Sequence, residues 1–144
     1  MPNIHQAIST LRHCGVGLAT YLTRTAHTPL ETVRRFDNAL TEAGASILAV
    51  PATDQVKANL RLSSRDGGVG LRASAPYRTL AFLASNTETW ALQGALAPVL
   101  LNQPVAQDAA SQRALAELPA DIPSSLADEI RVHVNGIDER SAAG

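Results

Sequence analysis

The sequence predicts an all-α protein, an irregular bundle of about five to six helices with a glycine-rich loop near residues 66–71. Three observations predict it. The chain is 45% hydrophobic but only 3% aromatic, so its core material is mainly alanine and leucine, residues that lose little freedom in a helix. Apolar residues in the first fifty positions recur at spacings of three and four rather than two. Capping residues and prolines punctuate these runs where helices start and stop.

From Asn3 to about Ala26, the residues Ile4, Ile8, Leu11, Leu18 and Leu22 describe one face of an amphipathic helix. Gly15 and Gly17 each weaken that helix by about 1 kcal/mol relative to alanine; they either admit a close neighbour or mark a kink. The second helix opens on Thr28-Pro29-Leu30-Glu31, which reads as a capping box with proline at the first helical position. Leu30, Val33, Phe36, Leu40, Ala43 and Ile47 then give its inner face, with Asp37 turned outward, until Pro51 ends the run. A short turn joins these two helices, which predicts antiparallel packing.

Asp54 is placed to cap a short helix over residues 55–62 that leads into the loop. There Gly67, Gly68 and Gly70 stand close together and forbid regular structure, since glycine gains most from disorder and tolerates positive φ. Ser74 caps the next helix, with Pro76 in its first turn and Tyr77, Leu80, Ala81 and Ala84 facing inward. A further helix is predicted over residues 87–101 with Trp90, Leu92 and Leu96, weakened or bent by Gly94 and Pro98. Asp108 to Leu118 forms a short helix closed by Pro119, and Ser125 to Asp128 offers a second capping box, followed by Ile130, Val134 and a stop at Gly136. This divides the chain into a helical region over 1–104, a small helical extension over 105–136 and a frayed tail over 137–144.

The net charge of -1 conceals an asymmetry, because residues 1–78 hold nine Lys/Arg and five Asp/Glu whereas residues 79–144 hold three and eight. A single cysteine, Cys14, permits no internal disulfide, and no apolar run reaches the roughly 18 residues of a membrane span. With no signal-like N-terminal pattern, the expectation is an intracellular, soluble protein.

The glycine loop and the helices before it resemble the region just downstream of the catalytic palm in non-LTR retrotransposon reverse transcriptases, the part that builds the helical thumb. The carrying residues are Leu11, Cys14, the run Tyr21-Leu22-Thr23-Arg24-Thr25, Phe36-Asp37, Leu60-Arg61-Leu62, Gly67 to Arg72 and Ala81 to Ser85. The likeness covers about residues 8–85. It implies a thumb-like module with sequence-independent affinity for nucleic acid. It does not imply polymerase activity, because the palm needs adjacent aspartates and a third carboxylate to hold two metal ions, and this chain has no Asp-Asp pair. Phe36-Asp37-Asn38 lies within an amphipathic helix and is rejected as a metal site. Ser63 stands where such sequences often carry proline.

Lys57, Arg61, Arg65, Arg72 and Arg78 are therefore the candidate phosphate contacts, with Arg24 beside Tyr21 at the end of the first helix as a sixth. If all five of the loop-flanking cations bound phosphate, log affinity would fall with log salt at a slope of about -4 to -5. The competing reading is that they pair with Asp54, Asp66 and the acidic second half. His5, His13, His27 and His133 lack zinc-site spacing, and neighbouring His13 and Cys14 point about 100° apart on a helix, which argues against metal and against a catalytic pair. The loop lacks the Gly-Lys-Ser/Thr ending of a nucleotide-binding loop, so no cofactor is expected. The reading is a non-catalytic fragment with weak nucleic-acid binding and an apolar face at Leu18, Tyr21 and Leu22 that invites self-association or contact with a missing palm. The alternative is a helical protein–protein interaction module with no nucleic-acid role.

Overall fold

The computed structural model describes residues 3–101, 109–120 and 122–142, which are all-helical with no strand among them. They divide into two compact units: residues 1–23 with 28–78, and residues 24–27 with 79–144.

The first unit is arranged around its longest helix. Helix α1 (Ile4–Thr10) starts where Asn3 Oδ1 accepts the His5 amide, and runs through a π turn (Leu11–Gly15) into α2 (Val16–Thr25). The π turn inserts one residue into the helical register, rotating everything after it by roughly 100°. Ile8 and Leu11 thus turn inward as expected, but the inward positions beyond the turn are Val16, Ala19 and Thr23. Leu18, 50% exposed, and Leu22 and Tyr21 lie on the exposed side, and Ile4 is exposed as well.

Helix α3 (Leu30–Ile47) follows. Its cap position is Pro29 with extended ψ, one residue later than the capping box predicts, and no side chain caps it. The buried stripe is Val33, Asp37, Leu40, Thr41, Gly44 and Ala45. Phe36 is only half-buried, Ala43 is exposed, and Asp37, expected to face outward, is 3% exposed. The helix ends in a Schellman arrangement in which the Val50 amide donates to Ala45 O and the Ala49 amide to Ser46 O. Ala49 occupies the left-handed position at φ 54, which a glycine would hold without steric cost.

Two glycines allow close packing against these elements. A Cβ on Gly15 would collide with Leu40 Cδ1, and one on Gly44 would meet Leu71 Cδ1 at 2.6 Å and Leu11 Cδ2 at 3.7 Å. Leu11 beside Gly44 and Gly15 beside Leu40 set the π-turn segment antiparallel to α3. Gly15 therefore serves both options left open by the sequence, close approach and a break in the α register.

Helix α4 (Asp54–Arg61) is capped by Thr53, whose Oγ1 accepts the Val56 amide; Asp54 is the first helical residue rather than the cap. It also runs antiparallel to α3, through Lys57 to Glu42 and Arg61 to Asn38. The chain then makes a short 3-10 turn (Ser64–Asp66) and returns along the loop, burying Leu71 completely against Leu40, Ala45 and Leu60.

A second 3-10 turn (Ala75–Tyr77) leads into α5 (Arg78–Leu101), which is one continuous helix where the sequence predicts two. Among the described residues, those it buries in the second unit are Thr79, Phe82 and Leu83. Of the predicted inner face, Leu80 and Ala81 are half-buried and Ala84 exposed, while Tyr77 is exposed in the preceding turn. Leu92, farther along the same helix, is exposed. Helix α6 (Ala109–Ala116) supplies Ala114, and α7 (Ser124–Ala142) supplies Val134 and the half-buried Ile130, to a second small core. Helix α7 begins at Ser124 with the Pro123 carbonyl accepting the Leu126 and Ala127 amides, so Ser125 is already inside it. It continues through Gly136 to Ala142, in place of the expected stop and frayed tail. Asp108 and residues 143–144 lie outside the described residues.

Three substitutions test this account by thermal or urea unfolding. Gly15→Ala destabilises by about 1–3 kcal/mol through overpacking. Gly17→Ala, whose new methyl meets nothing within 4 Å, stabilises by about 0.5–1 kcal/mol. Ala49→Gly stabilises by a similar amount, about 0.5–1 kcal/mol, by relieving the left-handed conformation.

Candidate nucleic-acid interface

The loop that carries the glycines is closed on itself. The Asp66 and Gly68 amides donate to Ser63 O at 3.0 and 2.9 Å, Gly70 to Leu62 O at 2.8 Å and Leu71 to Leu60 O at 2.9 Å. Ser63 Oγ is 2.6 Å from Asp66 Oδ2. Gly67 and Gly70 adopt φ 79 and 81, and a Cβ on Gly68 would strike the Leu62 carbonyl. The glycines are thus required by the turn, and these four amides are engaged in closing it. They are not presented to a phosphate.

The far end of the loop is held by Asp37. Its two carboxylate oxygens accept the Ser74 amide at 2.9 Å each, and Oδ2 also accepts the Ala75 amide at 2.9 Å. A side chain from α3 thus does the capping that the sequence assigns to Ser74, whose own side chain makes no cap bond. Asp37 is a structural residue.

The cations expected to form one groove are sorted by the fold into different roles. Arg78 is 7% exposed, and its Nη1 donates to Thr28 O at 3.1 Å; it presents no surface to a polyanion and leaves the candidate set. Lys57 pairs with Glu42 at 3.1 Å, and Arg61 Nη2 donates to Asn38 Oδ1 at 3.1 Å, so both are tied to α3. Arg24 belongs to the second unit, where it lies 3.8 Å from Glu88. Glu42 and Asn38 thus hold Lys57 and Arg61, and Glu88 of the acidic second half faces Arg24; neither Asp54 nor Asp66 supplies any of these pairings. Arg65 and Arg72 are exposed, with no ion pair among the described residues.

Arg72 joins a residue that sequence reasoning passed over. Together with Arg12 it borders an open hollow of about 500 Å³ between the π turn and α2 on one side and the glycine loop on the other, with Val16, Thr20 and Ser64 also in the wall. Arg12 Nη1 donates to Ser64 Oγ at 3.1 Å across a separation of 52 residues. His13 stands at the rim, its Nδ1 2.8 Å from Ser9 O. No carboxylate lines the hollow. The faint signal for Arg12 is its place four residues before Val16 and eight before Thr20, a polar position beside an apolar stripe; nothing local to it announces the loop as its neighbour.

Among the described residues no group of three or more His, Cys, Asp or Glu is placed to hold a metal ion, and no helix is long and apolar enough to cross a membrane. Comparison with family models, curated proteins and solved structures finds no match.

The sorting of the arginines is testable by unfolding. Arg78→Ala is expected to cost about 1.5–3 kcal/mol, the range for a buried hydrogen bond from a charged donor, whereas Arg72→Ala stays within about 0.5 kcal/mol of the parent, as for exposed sites. Asp37→Ala, which strands the Ser74 and Ala75 amides, costs about 2–4 kcal/mol.

Proposed function

We propose that this chain is a non-catalytic helical module, similar to the thumb region of a retroelement reverse transcriptase, that holds nucleic-acid backbone phosphates weakly and without sequence preference through Arg12, Arg65 and Arg72. The observation that carries the reading is the hollow lined by two arginines, Arg12 and Arg72, with no carboxylate in its lining. Guanidinium forks match phosphate oxygens in pairs, and such contacts fix position without reading bases. The first unit holds eight Lys/Arg against five Asp/Glu, a balance of +3, and one of those acids, Asp37, is buried as a cap.

The absence of catalysis rests on the sequence. There are no adjacent aspartates, and the one aspartate within a Phe-Asp pair, Asp37, spends its carboxylate on two backbone amides. An intracellular location accords with the single cysteine. The second reading, a helical protein–protein interaction module with self-association as one form of it, is favoured by the exposure of Leu18 on α2.

A salt titration of binding to a primer–template duplex separates the readings. With three arginines engaged, log affinity falls with log salt at a slope of about -2 to -3, shallower than five cations would give. The double variant Arg12→Ala/Arg72→Ala lowers affinity at low salt and flattens the slope by about 2. Absence of binding at low salt leaves the interaction module.

A further inference from the structure

We infer that the hollow between Arg12 and Arg72 prefers a phosphate monoester carried on a nucleotide, as at the 5′ end of a nucleic-acid strand, over an internal phosphodiester of the same backbone. The inference rests on reading this hollow as a phosphate-contacting surface and goes further, to the kind of phosphate.

Charge is the first argument. Arg12 and Arg72 both line the hollow and no carboxylate does; the loop acid Asp66 is engaged by Ser63 Oγ. An internal phosphodiester brings one negative charge, leaving one guanidinium unmatched. A monoester brings about -1.5 to -2 near pH 7 and three terminal oxygens, which balances both.

Donor supply is the second. Arg12 spends one of its N–H groups on Ser64 Oγ, and a guanidinium has five. Because Ser64 Oγ accepts that bond, its own O–H remains to donate, and Arg72 keeps its whole fork. The Thr20 hydroxyl donates to Val16 O at 2.9 Å, and Ser63 Oγ is engaged with Asp66 Oδ2, so neither adds a donor. The two non-bridging oxygens of a diester offer fewer acceptor sites and less charge than the three terminal oxygens of a monoester, which match more of this supply.

Room is the third. Gly17 and Gly70 stand in the wall where any other residue would project a side chain; a Cβ on Gly70 would come within 3.4 Å of Arg12 Nε. The volume of about 500 Å³ lies within the roughly 300–1,000 Å³ of small-ligand pockets, enough for a nucleotide and not only its phosphate.

The test uses the full chain and fluorescence anisotropy with duplexes that differ only in a 5′-phosphate or a 5′-hydroxyl on the recessed strand. At fixed salt the phosphorylated end is expected to bind at least about fivefold more tightly, and the difference disappears in Arg12→Gln/Arg72→Gln. Arg72→Lys, which keeps the charge but not the fork, retains only part of it, and unchanged circular dichroism melts show that the variants fold. Adenosine 5′-monophosphate at millimolar concentration competes while adenosine does not; competition by the mononucleotide without any end preference in the duplex assigns the pocket to free nucleotides. Equal affinity for both ends with no competition by the mononucleotide overturns the inference even where salt-dependent duplex binding persists. Mononucleotide binding without duplex binding upholds the monoester pocket and overturns the nucleic-acid reading instead.

Discussion

The first unit depends on one buried carboxylate. Asp37, midway along α3, takes the amides of Ser74 and Ala75, residues that follow it by 37 and 38 positions. Burying an ionised side chain is costly unless hydrogen bonds replace its water; here backbone amides at the start of a helical turn do so, and such charge-assisted bonds are among the stronger ones available. The bonds pin one end of the segment after the glycine loop, while the Leu71 amide on Leu60 O pins the other. Arg72 lies between these anchors, and its place beside Arg12 follows from them.

The π turn is the second constraint, and it acts by rotation. An uninterrupted α-helix from Ile4 would bury Leu18 and Leu22; the extra residue at Leu11–Gly15 brings Ala19 and Thr23 inward in their place. Small residues then face the interior, and Gly15 lets Leu40 approach the backbone. The same segment carries Arg12 and His13 to the rim of the hollow. One local irregularity thus sets both the close packing on α3 and the basic side chain on the opposite wall.

Charge in this protein is distributed by contact rather than by sequence neighbourhood. Arg72 and Arg78 are six positions apart, yet one is exposed beside Arg12 and the other is buried on the Thr28 carbonyl. Lys57 and Arg61, one turn apart on α4, both reach across to α3. Of the five loop-flanking cations, Arg65 and Arg72 stay exposed, and Arg72 shares a concave hollow with Arg12 in place of an extended stripe.

The sequence by itself determined the helical class, the spans of α3 and α4 to within a residue or two, and the glycine turn, because each follows from local forces: 3.6-residue periodicity, the scarcity of β-formers, and the positive φ that Gly67 and Gly70 supply. It did not determine caps or faces. Thr28 carries the cap signature, yet the proline after it takes that position; Phe36 has the core spacing, yet the inward place is held by Asp37, whose partners are set only when the chain returns. The close approach at Gly15 within the π turn and the meeting of Arg12 with Arg72 in one hollow likewise came from tertiary structure, since each brings together residues far apart in sequence.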